Sequence, residues 1–249
     1  MTTEVIMMLV LGAAAGGFVN GLAGFGTSLF ALGFWLQVFP PVKAVAISLV
    51  VASVTGIQGL WVVRETILSN PHRTLRFLVP GFVGIPFGIS ALRYVDPTIL
   101  KLVVAGFMLL YGGFFVLRRR LPTLDHRAPK VDMAVGLTGG FMGGLAGISG
   151  AVPVIWCTLH PWTKRETRAV LQPFNLTILA VSAVILAFQG TYDAAMLQAI
   201  LIALCVSVTA AQLGIFAFGR IGDVQFRWLL IILMFVSGAV LMSRTLAAG

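Results

Sequence analysis

Charge is what this 249-residue sequence has least of: 10% of it is Asp, Glu, Lys or Arg, against 59% hydrophobic residues. A soluble domain carries about 25% charged residues, so a water-facing globular surface is excluded. Acidic groups are the scarcer kind. Glu4, Glu65, Asp96, Asp125, Asp132, Glu166, Asp193 and Asp223 all flank apolar runs, and none sits near the middle of one. A proton-coupled carrier ordinarily needs a buried carboxylate relay, and none is visible. Cysteine is down to Cys157 and Cys205, both within apolar segments, which reads as small buried hydrophobes and leaves no disulfide framework or metal site. Histidine is limited to His72, His126 and His160. That shortage disposes of one tempting motif. Gly147-Ile148-Ser149-Gly150 spells the Gly-x-Ser-Gly of intramembrane serine proteases, whose nucleophile needs a histidine base from a later helix. No histidine follows His160. Neither an enzyme nor a cofactor is expected. The N-terminus also lacks the basic n-region of a secretory leader, so residues 1–38 are expected to belong to the mature protein.

What the sequence does have is length without charge. Runs free of Asp, Glu, Lys and Arg cover 5–42, 44–63, 77–92, 102–117, 133–163, 169–192, 194–219 and 228–243, and the mean hydropathy is +1.01. A bilayer core takes roughly 20 helical residues, and flanking Lys or Arg stems extend the shorter runs. The expectation is an all-α integral membrane protein with eight hydrophobic segments. The net charge of +9 does not point to nucleic acid. Basic residues fall in short loops between the runs, as cytoplasmic anchoring requires, and no aromatic-basic surface is left for bases.

The sequence is also written twice. Gly16-Gly17-Phe18-Val19-Asn20-Gly21-Leu22-Ala23-Gly24 returns as Gly139-Gly140-Phe141-Met142-Gly143-Gly144-Leu145-Ala146-Gly147. Weaker matches follow: Phe87-Gly88-Ile89 with Leu213-Gly214-Ile215, Met108 with Met234, and Gly112 with Gly238. This divides the chain into a first transmembrane repeat, 1–117, a polar linker, 118–132, and a second repeat, 133–249. Segments 5–38 and 133–160 are too long for one ordinary pass, so each is a tilted helix with a tail or a hairpin broken at its glycines. As hairpins they place Arg64, Arg73, Arg76, Arg118, Arg119, Arg120, Arg127, Lys130, Lys164, Arg165, Arg168, Arg220 and Arg227 on one side of the membrane. Lys43, Arg93, Lys101 and Arg244 remain on the other. That bias fits the positive-inside rule for a bacterial inner-membrane protein. It makes the two four-segment repeats inverted, with both termini outside.

A Gly-interrupted hydrophobic segment in corresponding positions of two halves points to a transporter's binding site. The first candidate site is therefore the pair of breaks: Asn20, Gly21, Gly24, Gly26, Thr27 and Ser28, with Gly144, Gly147, Ser149 and Gly150. Half-helix N-termini beyond such breaks offer N–H donors and a positive dipole end to an anion. The competing reading is close helix packing, because Gly17 and Gly21, like Gly140 and Gly144, have Gly-x-x-x-Gly spacing. The second candidate is Arg168, Gln172 and Asn175, which share one helical face. They make a donor-rich ramp for an anion, or else Arg168 anchors to headgroups while the two amides bond neighbouring backbone, including the carbonyl near residue 169 that Pro173 frees. Their mirrored positions in the first repeat, Val45, Leu49 and Ala52, are apolar.

The Gly-rich start of each half, Pro40-Pro41-Val42-Lys43-Ala44-Val45-Ala46-Ile47-Ser48-Leu49 and the repeated later glycines resemble the TauE/SafE sulfite exporter family over nearly the whole chain. The resemblance implies transport of sulfite, sulfonates or related small organic anions. The function expected is secondary transport, as an exporter, by alternating access. An anion channel, or a membrane subunit serving a partner, stays open as an alternative. Expected partners are a small anionic solute and the lipid bilayer, with no metal and no nucleic acid; a homodimer is left open.

Overall fold

The computed structural model describes residues 1–117 and 128–247, and the described residues are helical with no strand. Ten helices follow in order: α1 Thr3–Ala23, α2 Thr27–Trp35, α3 Pro41–Ser69, α4 Pro71–Leu92, α5 Pro97–Leu117, α6 Pro129–Ala146, α7 Ala151–Thr158, α8 Lys164–Phe188, α9 Ala194–Arg220 and α10 Asp223–Ala247. Five of them, α1, α3, α4, α8 and α9, are long and apolar enough to cross a bilayer by length and composition. The count exceeds eight because the two longest apolar segments are each cut in two, into α1–α2 and α6–α7. Of the expected linker, residues 118–127 lie outside the described residues, and 129–132 already belong to α6.

Both cuts have the same local cause. α1 ends at Gly24 (φ 83°) and α6 at Gly147 (φ 67°), each a left-handed C-cap whose N–H returns to the carbonyl four residues back. Glycine adopts that conformation without the penalty that a Cβ brings. The repeated Leu-Ala-Gly is thus a helix stop. After each stop the chain folds back along the helix it has left. The Trp35 indole on α2 donates to the Leu9 carbonyl at 3.1 Å, and the Trp156 indole on α7 donates to the Asp132 carboxylate at 2.7 Å. The Trp35 ring fits because residue 12 is glycine: a Cβ there would stand 2.8 Å from its Cδ1. Both long segments are hairpins.

The helices then pair across the halves. α1 packs on α9 and α4 on α6, α3 lies against α8, and α5 against α10. Each crossing is closed by glycine, and the closures come in matched sets. A Cβ on Gly88 would stand 2.8 Å from the Leu145 amide, and one on Gly214 2.7 Å from the Leu22 amide. Gly112 meets Phe235 of α10, while Gly238 meets Met108 of α5. In a bilayer there is no water to drive helices together, so close backbone approach through small residues supplies the packing.

The chain path sorts the polar ends. One end carries the Arg73–Glu166 pair (3.1 Å), the longer Arg76–Asp132 approach (3.9 Å), and Lys164 on the last carbonyls of α9. The opposite end carries Lys43–Asp193 (2.7 Å) and the Arg93 bond to Gln189. There the Lys43 hydrogen bond, followed by the Met196 amide, holds the Asp193 carboxyl below its ordinary range.

Replacing Gly140 by Leu should disrupt the α4–α6 crossing, because even a Cβ would stand 2.8 Å from the Gly81 Cα. Overpacking of this kind costs about 1–3 kcal/mol or more. Gly106→Ala, where nothing lies within 4 Å, should be silent. Thermal melts of the detergent-purified variants check the contrast.

Candidate functional site

The two breaks meet each other, and α8 runs alongside them. Gly147 lies against Ser28 and Ser48: a Cβ there would be 2.5 Å from the Ser28 Oγ and 2.9 Å from the Ser48 Oγ. Gly150 lies against Phe25, with 2.8 Å to its Cβ. Gly24 faces α8, where a Cβ would stand 2.6 Å from the Gln172 Oε1 and 3.1 Å from the Arg168 Cγ. Neither α2 nor α7 has a side chain capping its N-terminus, so two positive helix ends converge on this region.

Around it is a buried polar cluster. Asn20, Thr27, Ser28, Ser48, Ser149, Arg168, Gln172 and Asn175 are all buried. The Asn20 amide donates to the Thr27 hydroxyl (2.8 Å) and to the Ala52 carbonyl (3.2 Å). Ser28 donates to Ser48 (3.0 Å), which donates to the Val45 carbonyl (2.8 Å). The Ser149 hydroxyl donates to the Asn175 side-chain carbonyl. Gln172 donates to the Gly56 carbonyl at 2.9 Å, and its own carbonyl receives the Arg168 Nε at 3.3 Å.

Arg168 stands apart from its neighbours. It is 1% exposed, and no carboxylate pairs with it among the ion pairs of the described residues. Its guanidinium rests 4.6 Å from the Phe218 ring centroid and reaches the Leu22 carbonyl at 3.4 Å. Its Nη2 has no hydrogen-bond partner, alone among the buried side-chain polar atoms of the described residues. A buried charge is tolerated when paired and fully hydrogen-bonded. Here one donor of a buried cation is left aimed at nothing. Chemically, the site offers a guanidinium, hydroxyls, amides and helix N-termini, all of them suited to an oxyanion.

The sequence-derived residues divide between two places. Gly24, Thr27, Ser28, Gly147, Ser149, Gly150, Arg168, Gln172 and Asn175 gather at the meeting of the breaks and α8, with Asn20 bracing Thr27. Gly26 (φ 98°) forms the turn into α2 and lies against Val19. Gly21 and Gly144 lie elsewhere, against Ala211 of α9 and Ile85 of α4, in the helix crossings. The carbonyl freed by Pro173 is that of Ala169, and it receives the Thr74 hydroxyl of α4 at 3.4 Å. Ser48 and Phe218 complete the cluster and were not singled out from sequence. Each is one small or aromatic residue in an apolar helix with no periodic signal of its own.

Apolar helices of spanning length around a buried polar centre define a multi-pass membrane protein. Residues 8–241 match the family model described as Sulfite exporter TauE/SafE, and the chain belongs to that family. Among curated proteins it is 26% identical over 213 residues to the "Probable sulfite/organosulfonate exporter TauE" of Cupriavidus necator, covering 80% of this chain and 79% of that one. No solved structure matches it significantly.

Gly24→Ala and Gly147→Ala each force a Cβ into the left-handed region, at about 1–2 kcal/mol per residue, and press on Gln172 or Ser28. Each should lower the melting temperature, whereas Gly33→Ala, in open space, should not. Thermal unfolding of the three variants tests this.

Proposed function

We propose that the protein is a secondary transporter, working as an exporter, for a small sulfur-containing or organic oxyanion such as sulfite or a sulfonate. The observation that carries this reading is the partnerless Nη2 of a buried, carboxylate-free Arg168 beside two helix breaks. An anion at that point would pair the guanidinium and accept from its partnerless Nη2. Gln172, bonded to the Arg168 Nε, and the hydroxyls of Thr27, Ser28 and Ser149 at the adjoining breaks are the further donors proposed for its oxygens. The name of the Cupriavidus relative supports the solute class.

The mechanism proposed is alternating access between two inverted four-segment repeats, with α3 and α8 at their centre. Matched glycine closures at Gly88 and Gly214, and at Gly112 and Gly238, support that symmetry. Burial of every polar group in the cluster supports a carrier with an occluded state over a permanently open pore. The end bearing Arg73, Arg76 and Lys164 is proposed to face the cytoplasm of an inner membrane, with both termini outside. A monoanion leaving a negative cytoplasm gains roughly 2.3 kcal/mol per 100 mV, so export needs no coupling ion.

Arg168→Lys tests the site. Lys keeps the charge but loses the planar fork that grips an oxyanion in two places. Flux in proteoliposomes at fixed voltage should show a half-saturation raised by the ~1.5–3 kcal/mol typical of hydrogen bonds to charged groups, or roughly 10- to 150-fold. Arg168→Gln should be worse. An unchanged half-saturation in the Lys variant removes Arg168 from the site.

Topology is tested by cysteines at Thr123 and Gly249, both outside the described residues. An impermeant thiol reagent applied to intact cells should label position 249 and spare 123. The reverse pattern excludes the proposed orientation.

A further inference from the structure

The polar face of α8 continues outward from the buried site. Lys164 lies one turn before Arg168, so Lys164, Arg168, Gln172 and Asn175 form a single stripe from the helix start inward. Like Arg168, Lys164 has no carboxylate among the ion pairs of the described residues. Its ammonium donates instead to main-chain carbonyls at the end of α9: Phe218 at 3.0 Å and Ile221 at 2.5 Å. The two cations share one aromatic side chain. The Phe218 ring centroid is 4.8 Å from the Lys164 Nζ and 4.6 Å from the Arg168 Cζ, and the residue is 2% exposed. Next to it in the chain, Gly219 has nothing within 4 Å of where a Cβ would be, and Gly222 only the far end of Gln225. Beyond Phe218, neither glycine is held by a close neighbour on its Cα side.

We propose that Lys164 is an outer contact for the anion and Phe218 the gate residue that controls its passage to Arg168. The proposal rests on the reading of Arg168 as the anion's anchor. In the closed state the Lys164 ammonium holds the Phe218 and Ile221 carbonyls and so pins the end of α9 over the guanidinium. An oxyanion is a stronger partner for an ammonium than a neutral carbonyl, because both members of the hydrogen bond are charged. Its arrival draws Lys164 off α9, frees the turn that carries Phe218, and opens the way to the partnerless Nη2. The solute's own binding free energy thus does the unlocking, and an empty transporter stays shut. A lysine that merely completed the α9 C-cap would stabilise the helix end without any effect on the solute.

Two measurements test this. The first is sulfite flux in proteoliposomes. Lys164→Met keeps the aliphatic stem and removes the charge. Half-saturation should rise by up to about fivefold, the scale of a partly exposed ion pair and below that of the buried Arg168 contact, and Lys164→Arg should restore it. A Met variant with a lower melting temperature and unchanged half-saturation makes Lys164 a helix cap and overturns its part. The second needs no transported solute. In a background of Cys157→Ala and Cys205→Ala, Ser28→Cys reports access to the site. A small impermeant anionic thiol reagent, applied from the Lys164 side, should label it slowly while Phe218 is present. Phe218→Ala should speed labelling roughly tenfold or more, equivalent to one 1.4 kcal/mol step in closure. Phe218→Leu, which keeps most of the apolar volume, should fall between. Unchanged labelling in both variants overturns the gate. Faster labelling in a protein that shows no sulfite flux upholds the gate and sinks the proposed solute.

Discussion

One constraint organises the centre of this molecule: a guanidinium buried in a membrane domain with no acid paired to it among the described residues. Removing such a group from water costs several kcal/mol even after relaxation. The fold offsets that cost with dipoles and an aromatic face, using the Leu22 carbonyl, the Gln172 side chain and the Phe218 ring. Those three partners belong to α1, α8 and α9, so Arg168 requires three helix surfaces to converge at one depth. Gln172 is in turn fixed by the Gly56 carbonyl. A Cβ at position 24 or 59 would press on the far end of its side chain. The polar site and the glycine pattern are therefore one requirement seen from two sides.

Glycine does two different jobs here, and the difference is conformational. At Gly24, Gly26 and Gly147 the backbone is left-handed, so these residues stop or turn the chain. At Gly17, Gly140, Gly144, Gly88 and Gly214 it is ordinary helix, and the missing Cβ lets another backbone approach. The first group places the half-helices α2 and α7; the second brings α1 to α9 and α4 to α6. Together they put both breaks side by side, although 123 residues of chain separate Gly24 from Gly147.

This distinction marks the limit of what was legible from sequence. The all-helical membrane class followed from charge-free runs, and helix length beyond bilayer thickness left the two long segments as either tilted helices with tails or broken hairpins. The glycine-rich repeat marked where. It could not say which glycines turn and which pack, since both uses look alike in one dimension: Gly21 and Gly144 were grouped with the breaks for their place in the repeat, while their Gly-x-x-x-Gly spacing also offered the packing role they take. The Arg168-Gln172-Asn175 stripe was legible because helical periodicity puts these residues on one face. Their partners were not. Ser48, Thr74, Lys164 and Phe218 reach the site from other helices or from its outer end, and long-range pairings such as Thr74 with Ala169 leave no local signature. Pro173 did announce a freed carbonyl, but its acceptor role could be completed from any neighbouring helix.

The pairing of the two halves makes the asymmetry of their contents informative. In α3 the positions matching Arg168, Gln172 and Asn175 are Val45, Leu49 and Ala52, so the cationic stripe exists only on α8. At the opposite end the nearest counterpart is Lys43, already neutralised by Asp193 at 2.7 Å. In the proposed cycle an anion meets Lys164 and Arg168 in line on one side, whereas among the described residues the opposite end offers Lys43, paired with Asp193, and Arg93, bonded to the Gln189 side chain. A solute is thus captured more readily from the Lys164 side. The transmembrane potential drives an anion in the same direction when the Lys164 end is cytoplasmic. In that proposed cycle the potential and the solute gradient set the net direction, and the unequal charge on α3 and α8 affects only how readily the solute is captured from each side.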